Sequence, residues 1–128
     1  MILDDDFFMA HAIALAEKGI GIVSPNPLVG AVLVYNQRII GEGYHMKYGE
    51  AHAEVNCINS VSVEDVHLIP QSKLYVTLEP CAHFGKTPPC ADMIIKAGIK
   101  EVVIATLDPF EQVNGKGIEK LQMSGIEV

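Results

Sequence analysis

Over residues 4–18 the apolar side chains Phe7, Phe8, Ala10, Ile13, Ala14 and Ala16 recur at helical spacing, with acids ahead of them and Lys18-Gly19 behind. This pattern predicts an amphipathic first helix. Ser24-Pro25-Asn26-Pro27 then excludes regular helix, and the dense apolar run 28–35 predicts a buried strand. Asn36-Gln37 fits a hairpin turn into a short second strand over 38–44, expected near a sheet edge, where Ile39 and Ile40 precede Gly41 and Gly43. Helical spacing returns over 51–60. The polar stretch 62–72 reads as a loop and 73–78 as a strand.

Pro88-Pro89 lead into a helix over 90–97, closed by Gly98 where a left-handed residue is favoured. A strand over 101–106, a helix over 116–124 ending at Gly125, and the beginning of a fifth strand at 126–128 complete the order. This succession implies an α/β fold: a mixed sheet of about five strands with helices on both faces.

Composition narrows the reading. The 128 residues, 49% of them hydrophobic, suffice for one core and one domain. A net charge of −7 and a pI near 5.1 would repel a phosphate backbone, so a nucleic-acid partner is disfavoured. The acidic start Met1-Ile2-Leu3-Asp4-Asp5-Asp6 is unlike a secretory signal, and no apolar run approaches the roughly 18 residues that span a membrane. The expectation is a cytoplasmic protein with no membrane partner. Its three cysteines are an odd number and close no disulfide framework, which turns attention to metal binding and catalysis.

His52, Cys81 and Cys90 supply one nitrogen and two sulfur donors, the set zinc prefers, and a catalytic zinc site leaves its fourth position to water. His52 and Cys90 are each expected at a helix start, where the macrodipole favours a thiolate. Zn²⁺ held by a neutral imidazole and two thiolates can generate hydroxide near neutral pH. Glu54, two residues from a ligand, is placed to carry protons from water to a ring nitrogen and to departing ammonia. Zinc deaminases share this logic in an H-x-E and a P-C-x-x-C signature. Here eight residues separate Cys81 from Cys90, and a loop anchored by ligands at both ends overhangs the site. Its His83 and Lys86 offer hydrogen bonds and positive charge to a phosphorylated small molecule.

Other residues carry plainer readings. Cys57 lies mid-helix beside Val55 and Ile58 and reads as core. His11 and His67 read as solvated. His45 follows Gly41-Glu42-Gly43-Tyr44, where backbone could approach a ligand closely, and reads equally well as a contact or as a surface residue.

Three segments carry a family resemblance: Asn26-Pro27-Leu28-Val29-Gly30-Ala31-Val32, Gly49-Glu50-Ala51-His52-Ala53-Glu54, and Thr77-Leu78-Glu79-Pro80-Cys81 through Lys86-Thr87-Pro88-Pro89-Cys90. From its first helix to Val128 the chain resembles the deaminase domain of the bifunctional riboflavin-biosynthesis deaminase/reductase. The resemblance implies a cytidine-deaminase-like, three-layer α/β/α sandwich. It also implies conversion of 2,5-diamino-6-(5-phosphoribosylamino)pyrimidin-4(3H)-one to the corresponding uracil with release of ammonia. By position it implies zinc on His52, Cys81 and Cys90, proton transfer by Glu54, substrate contacts from Asn26, His45 and His83, and a phosphate contact from Lys86. Asp108 matches a position facing the ribose. The family usually follows Asp108-Pro109 with Asn-Pro, whereas this chain has Phe110-Glu111. Phe110 donates no hydrogen bond, and Asn114 is the nearby residue able to substitute. The NADPH-dependent reductase domain that normally follows is absent from these residues, and self-association is expected, as in related folds.

Two other functions compete. A nucleobase, nucleoside or tRNA deaminase would share the chemistry, but the acidic charge and the long ligand spacing argue against it. A non-catalytic, zinc-stabilised binding module would have no evident use for Glu54.

Overall fold

The computed structural model describes residues 3–18, 28–44, 52–80, 90–106 and 115–128. Helix α1 (Asp5–Glu17) begins where Asp4 accepts the backbone N–H of Phe7 at 2.9 Å, satisfying a donor that the first helical turn cannot satisfy itself. Strands β1 (Gly30–Tyr35) and β2 (Arg38–Tyr44) form an antiparallel hairpin. Its two-residue turn places Asn36 and Gln37 at φ of 46° and 70°, the left-handed pair that matches strand twist.

Helix α2 (Ala53–Asn59) follows, and the expected loop over 62–72 contains a 3-10 helix at Val66–Gln71. Next come β3 (Lys73–Leu78), α3 (Cys90–Lys96), β4 (Glu101–Thr106) and α4 (Lys116–Met123). Gly98 and Gly125 adopt φ of +82° and +87° behind α3 and α4, as their sequence positions imply.

The sheet runs β2-β1-β3-β4, antiparallel except for the parallel pair β3 and β4, so β2 does lie at an edge. Among the described residues four strands form where about five were expected. The stretch after Gly125 pairs through Glu127 alone: its N–H donates to the Lys100 carbonyl and its carbonyl accepts from Val102 N–H, both at 2.8 Å. That is an isolated bridge and not a ladder.

Strand alternation builds three layers. On one face, Val32, Val34 and Tyr75 pack against Phe8, Ala12 and Leu15 of α1. On the other, Ala31, Leu33, Leu74, Val76 and Val102 meet Ala53 and Cys57 of α2, Ala91 and Ile94 of α3, and Leu121 of α4. The three-layer α/β/α sandwich is thus observed. Among the described residues, no helix is long and apolar enough to cross a membrane.

Candidate active site

β2 sets the position of α2 through its glycines. A Cβ on Gly43 would stand 2.3 Å from the Cys57 nitrogen and 2.5 Å from the Ala53 carbonyl oxygen, and one on Gly41 would stand 2.7 Å from the Cys57 carbonyl oxygen. Helix and strand backbones therefore touch, and the close approach suggested by the glycines is made by α2. Two hydrogen bonds fix the contact. Asn56 Nδ2 donates to the Tyr44 carbonyl and Glu42 N–H donates to Ser60 Oγ, both at 2.9 Å.

His52 is the N-cap of α2, and its carbonyl accepts the first helical hydrogen bond from Asn56 N–H at 3.0 Å. Ser, Thr, Asp or Asn usually holds this position to satisfy the free N–H groups, whereas the His52 side chain makes no capping bond. Its ring is turned elsewhere: Nδ1 lies 3.1 Å from Cys90 Sγ. Cys90 opens α3 and is buried, at 2% exposure. Residues 38 positions apart are thereby brought together by packing α2 beside α3 on one face of the sheet. Glu54, in the first turn of α2, is buried at 3% exposure.

Among the described residues, no group of three or more His, Cys, Asp and Glu side chains stands close enough to hold a metal ion. The pair that is described nevertheless suits zinc. Imidazole nitrogen and cysteine sulfur are the donor types zinc selects, and ligands of one tetrahedral ion would stand about 3.5 Å apart, a small adjustment from 3.1 Å. Cys81 lies outside the described residues, as do the expected substrate contacts Asn26, His45, His83, Lys86 and Asp108.

Cys57 is fully buried against β1 and β2, and burial, with the Glu54 carboxylate nearby, pushes its thiol well above the ordinary range. This is the expected core cysteine. His11 lies at the surface as expected, and there its Nε2 hydrogen-bonds the exposed Glu42 carboxylate across α1 and β2. Glu79 escaped the sequence reading. It is buried at 3% exposure directly after β3, and its carboxylate accepts N–H bonds from Gly115 and Ile118 at 2.8 and 3.0 Å. The available signal was a carboxylate in an apolar strand end, two residues before Cys81.

The family described as "Cytidine and deoxycytidylate deaminase zinc-binding region" matches residues 3–106. The chain belongs to this deaminase family. It is a zinc-type deaminase, and its relatives lie in riboflavin biosynthesis. A diaminohydroxyphosphoribosylamino-pyrimidine deaminase from Buchnera aphidicola subsp. Schizaphis graminum is 51% identical over 98% of this chain and 83% of its own length. The riboflavin biosynthesis protein RibD of Bacillus amyloliquefaciens is 54% identical over 97% of this chain, which spans only 32% of that relative. Among solved structures, the diaminohydroxyphosphoribosylaminopyrimidine deaminase/5-amino-6-(5-phosphoribosylamino)uracil reductase of Thermotoga maritima superposes with a TM-score of 0.87 at 54% identity. That match covers 94% of this deaminase and 34% of the larger chain.

Proposed function

We propose that this deaminase hydrolyses 2,5-diamino-6-(5-phosphoribosylamino)pyrimidin-4(3H)-one to the corresponding 5-aminouracil derivative and ammonia. The observation that carries the reading is the 3.1 Å approach of His52 Nδ1 to Cys90 Sγ, with buried Glu54 in the first turn of the same helix as His52. The names of the relatives supply the substrate.

His52, Cys81 and Cys90 would hold Zn²⁺, which when bound activates water for attack at a ring carbon. Glu54 takes a proton from that water and delivers it to the adjacent ring nitrogen. It then passes the second proton to the departing amine. One water is consumed and one ammonia leaves. Burial keeps the Glu54 carboxylate from exchanging freely with solvent, so the protons it accepts are delivered within the site. Asn26, His45, His83 and Asp108 would orient the pyrimidine and ribose, and Lys86 would meet the phosphate.

Residues 1–128 would form one deaminase domain. The Thermotoga maritima protein named as both deaminase and reductase is about three times as long as the part this chain matches. A cytoplasmic setting fits this reading, because reducing conditions keep the cysteines available as thiolates. Self-association, as in related folds, completes this reading.

The decisive experiment mixes the zinc-loaded protein with the phosphorylated pyrimidine, and separately with cytidine and deoxycytidylate, and measures ammonia. Release from the phosphorylated pyrimidine alone is expected, and preference for either of the other two amines would overturn the assignment. Glu54→Gln should lose most turnover, by about 10²–10⁴-fold, while retaining zinc. A binding module would be indifferent to that change.

A further inference from the structure

The two residues after β3, Glu79 and Pro80, are buried. The Glu79 backbone N–H donates to the Thr106 carbonyl at 3.0 Å, continuing the alignment of β3 with β4. The Glu79 side chain reaches a different element. Oε1 accepts from Gly115 N–H at 2.8 Å and Oε2 from Ile118 N–H at 3.0 Å, donors at the start of α4. Gly115, the N-cap residue, has no side chain to satisfy them, so a carboxylate 36 residues upstream does so.

Between these bonds the backbones meet. A Cβ on Gly117 would stand 1.9 Å from the Pro80 carbonyl oxygen and 3.1 Å from Glu79 Cγ. The first turn of α4 is thus seated on the residue that precedes Cys81. Further along α4, Lys120 pairs with Asp92, two residues past Cys90 in the first turn of α3. One helix therefore touches both Pro80, which precedes Cys81 in the chain, and Asp92 in the turn that Cys90 opens.

A helix start can be capped by a local Ser, Thr, Asp or Asn at no cost in buried charge. Burying a carboxylate is unfavourable unless its oxygens are hydrogen-bonded, and both Glu79 oxygens take their N–H donors from α4, so the burial of Glu79 ties the end of β3 to that helix. We propose that Glu79 is a positioning residue for the metal site: its carboxylate, with Gly117, clamps α4 onto Pro80 and fixes the direction in which the chain enters Cys81. The inference rests on the reading that Cys81 and Cys90 are zinc ligands. Groups that orient ligands commonly change metal affinity by about 10–100-fold when removed.

Glu79→Gln preserves shape but replaces one accepting oxygen with an NH₂ that faces an N–H donor, so one of the two bonds is lost. Zinc affinity is read by competition with a chromophoric chelator, and ligand geometry by the absorption bands of the cobalt-substituted protein. The clamp predicts zinc binding weakened by about 10–100-fold and shifted cobalt bands. Unchanged affinity and bands, with only a lower melting temperature, would reduce Glu79 to a helix cap and overturn the proposal. A second measurement needs no variant. Because coupling is reciprocal, zinc should slow hydrogen exchange at the Gly115 and Ile118 amides of the native chain more than at amides of α1. Equal slowing on α1 and α4 would refute the clamp. Failure of the native chain to bind either metal would instead remove the ligand reading, and the clamp with it.

Discussion

Replacing Gly43 with alanine tests whether β2 sets the position of α2 and of the His52 and Glu54 it carries. The added methyl carbon would stand 2.3 Å from the Cys57 nitrogen, whereas ordinary contact begins at 3.4 Å, so α2 must retreat by about 1 Å. Both opposing atoms are backbone, and no side-chain rotation relieves the overlap. Overpacking of this kind costs about 1–3 kcal/mol. The displacement carries His52 and Glu54 with it, and a misplacement of about 1 Å can cost about 10²-fold in rate.

Urea unfolding of the zinc-loaded protein gives the first quantity and ammonia release gives the second. Leu15→Ala is the control. It removes a buried side chain from α1 on the opposite face and should cost about 2–5 kcal/mol, with the rate of the folded fraction close to native. If both variants lost rate in the same proportion to stability, or if Gly43→Ala lost stability alone, the claim that β2 aims α2 would be wrong.

Cys57 should resist alkylation by iodoacetamide in the folded protein and react once unfolded, since burial raises its thiol and only a thiolate attacks; Cys57→Ala should leave the zinc content unchanged. The Asp5 carboxyl is held below its usual 3.8 chiefly by the hydroxyl of Tyr75, which donates to it at 2.5 Å, and secondarily by Lys73. A depressed carboxyl contributes stability above its unfolded value that is lost as the pH falls through the folded one. Tyr75→Phe should therefore cost about 1 kcal/mol near neutral pH, a modest figure because Asp5 is exposed. The gap between native and variant urea midpoints should close as the pH is taken well below 3.8, and a gap independent of pH would exclude Asp5 as its source.

Local signals made much of the fold legible. β3 and β4 occupy the stretches their apolar runs predict, and Gly98 and Gly125 close helices as expected, because strand propensity and left-handed turns are short-range properties. β1 begins at Gly30 and not at residue 28, since pairing with Tyr44 starts there and Leu28 is left exposed. The 3-10 helix at Val66–Gln71 contains Pro70 and has no periodicity to announce it.

In the site, His52, Glu54 and Cys90 stood out because their chemical types are unusual in combination. The meaning of Gly41, Gly43 and Glu79 did not, because their partners lie 10 to 39 residues away in sequence and only the packed sheet brings them into reach.

His52 and Cys90 each stand at the point where a helix seated on the sheet begins. Because α2 and α3 pack side by side on the sheet, insertions or deletions in residues 45–51 or 81–89 should leave these helix starts where the sheet holds them. A scaffold of this kind can exchange one amine substrate for another through changes in segment length alone, and the eight residues between Cys81 and Cys90 are one setting of that adjustable interval.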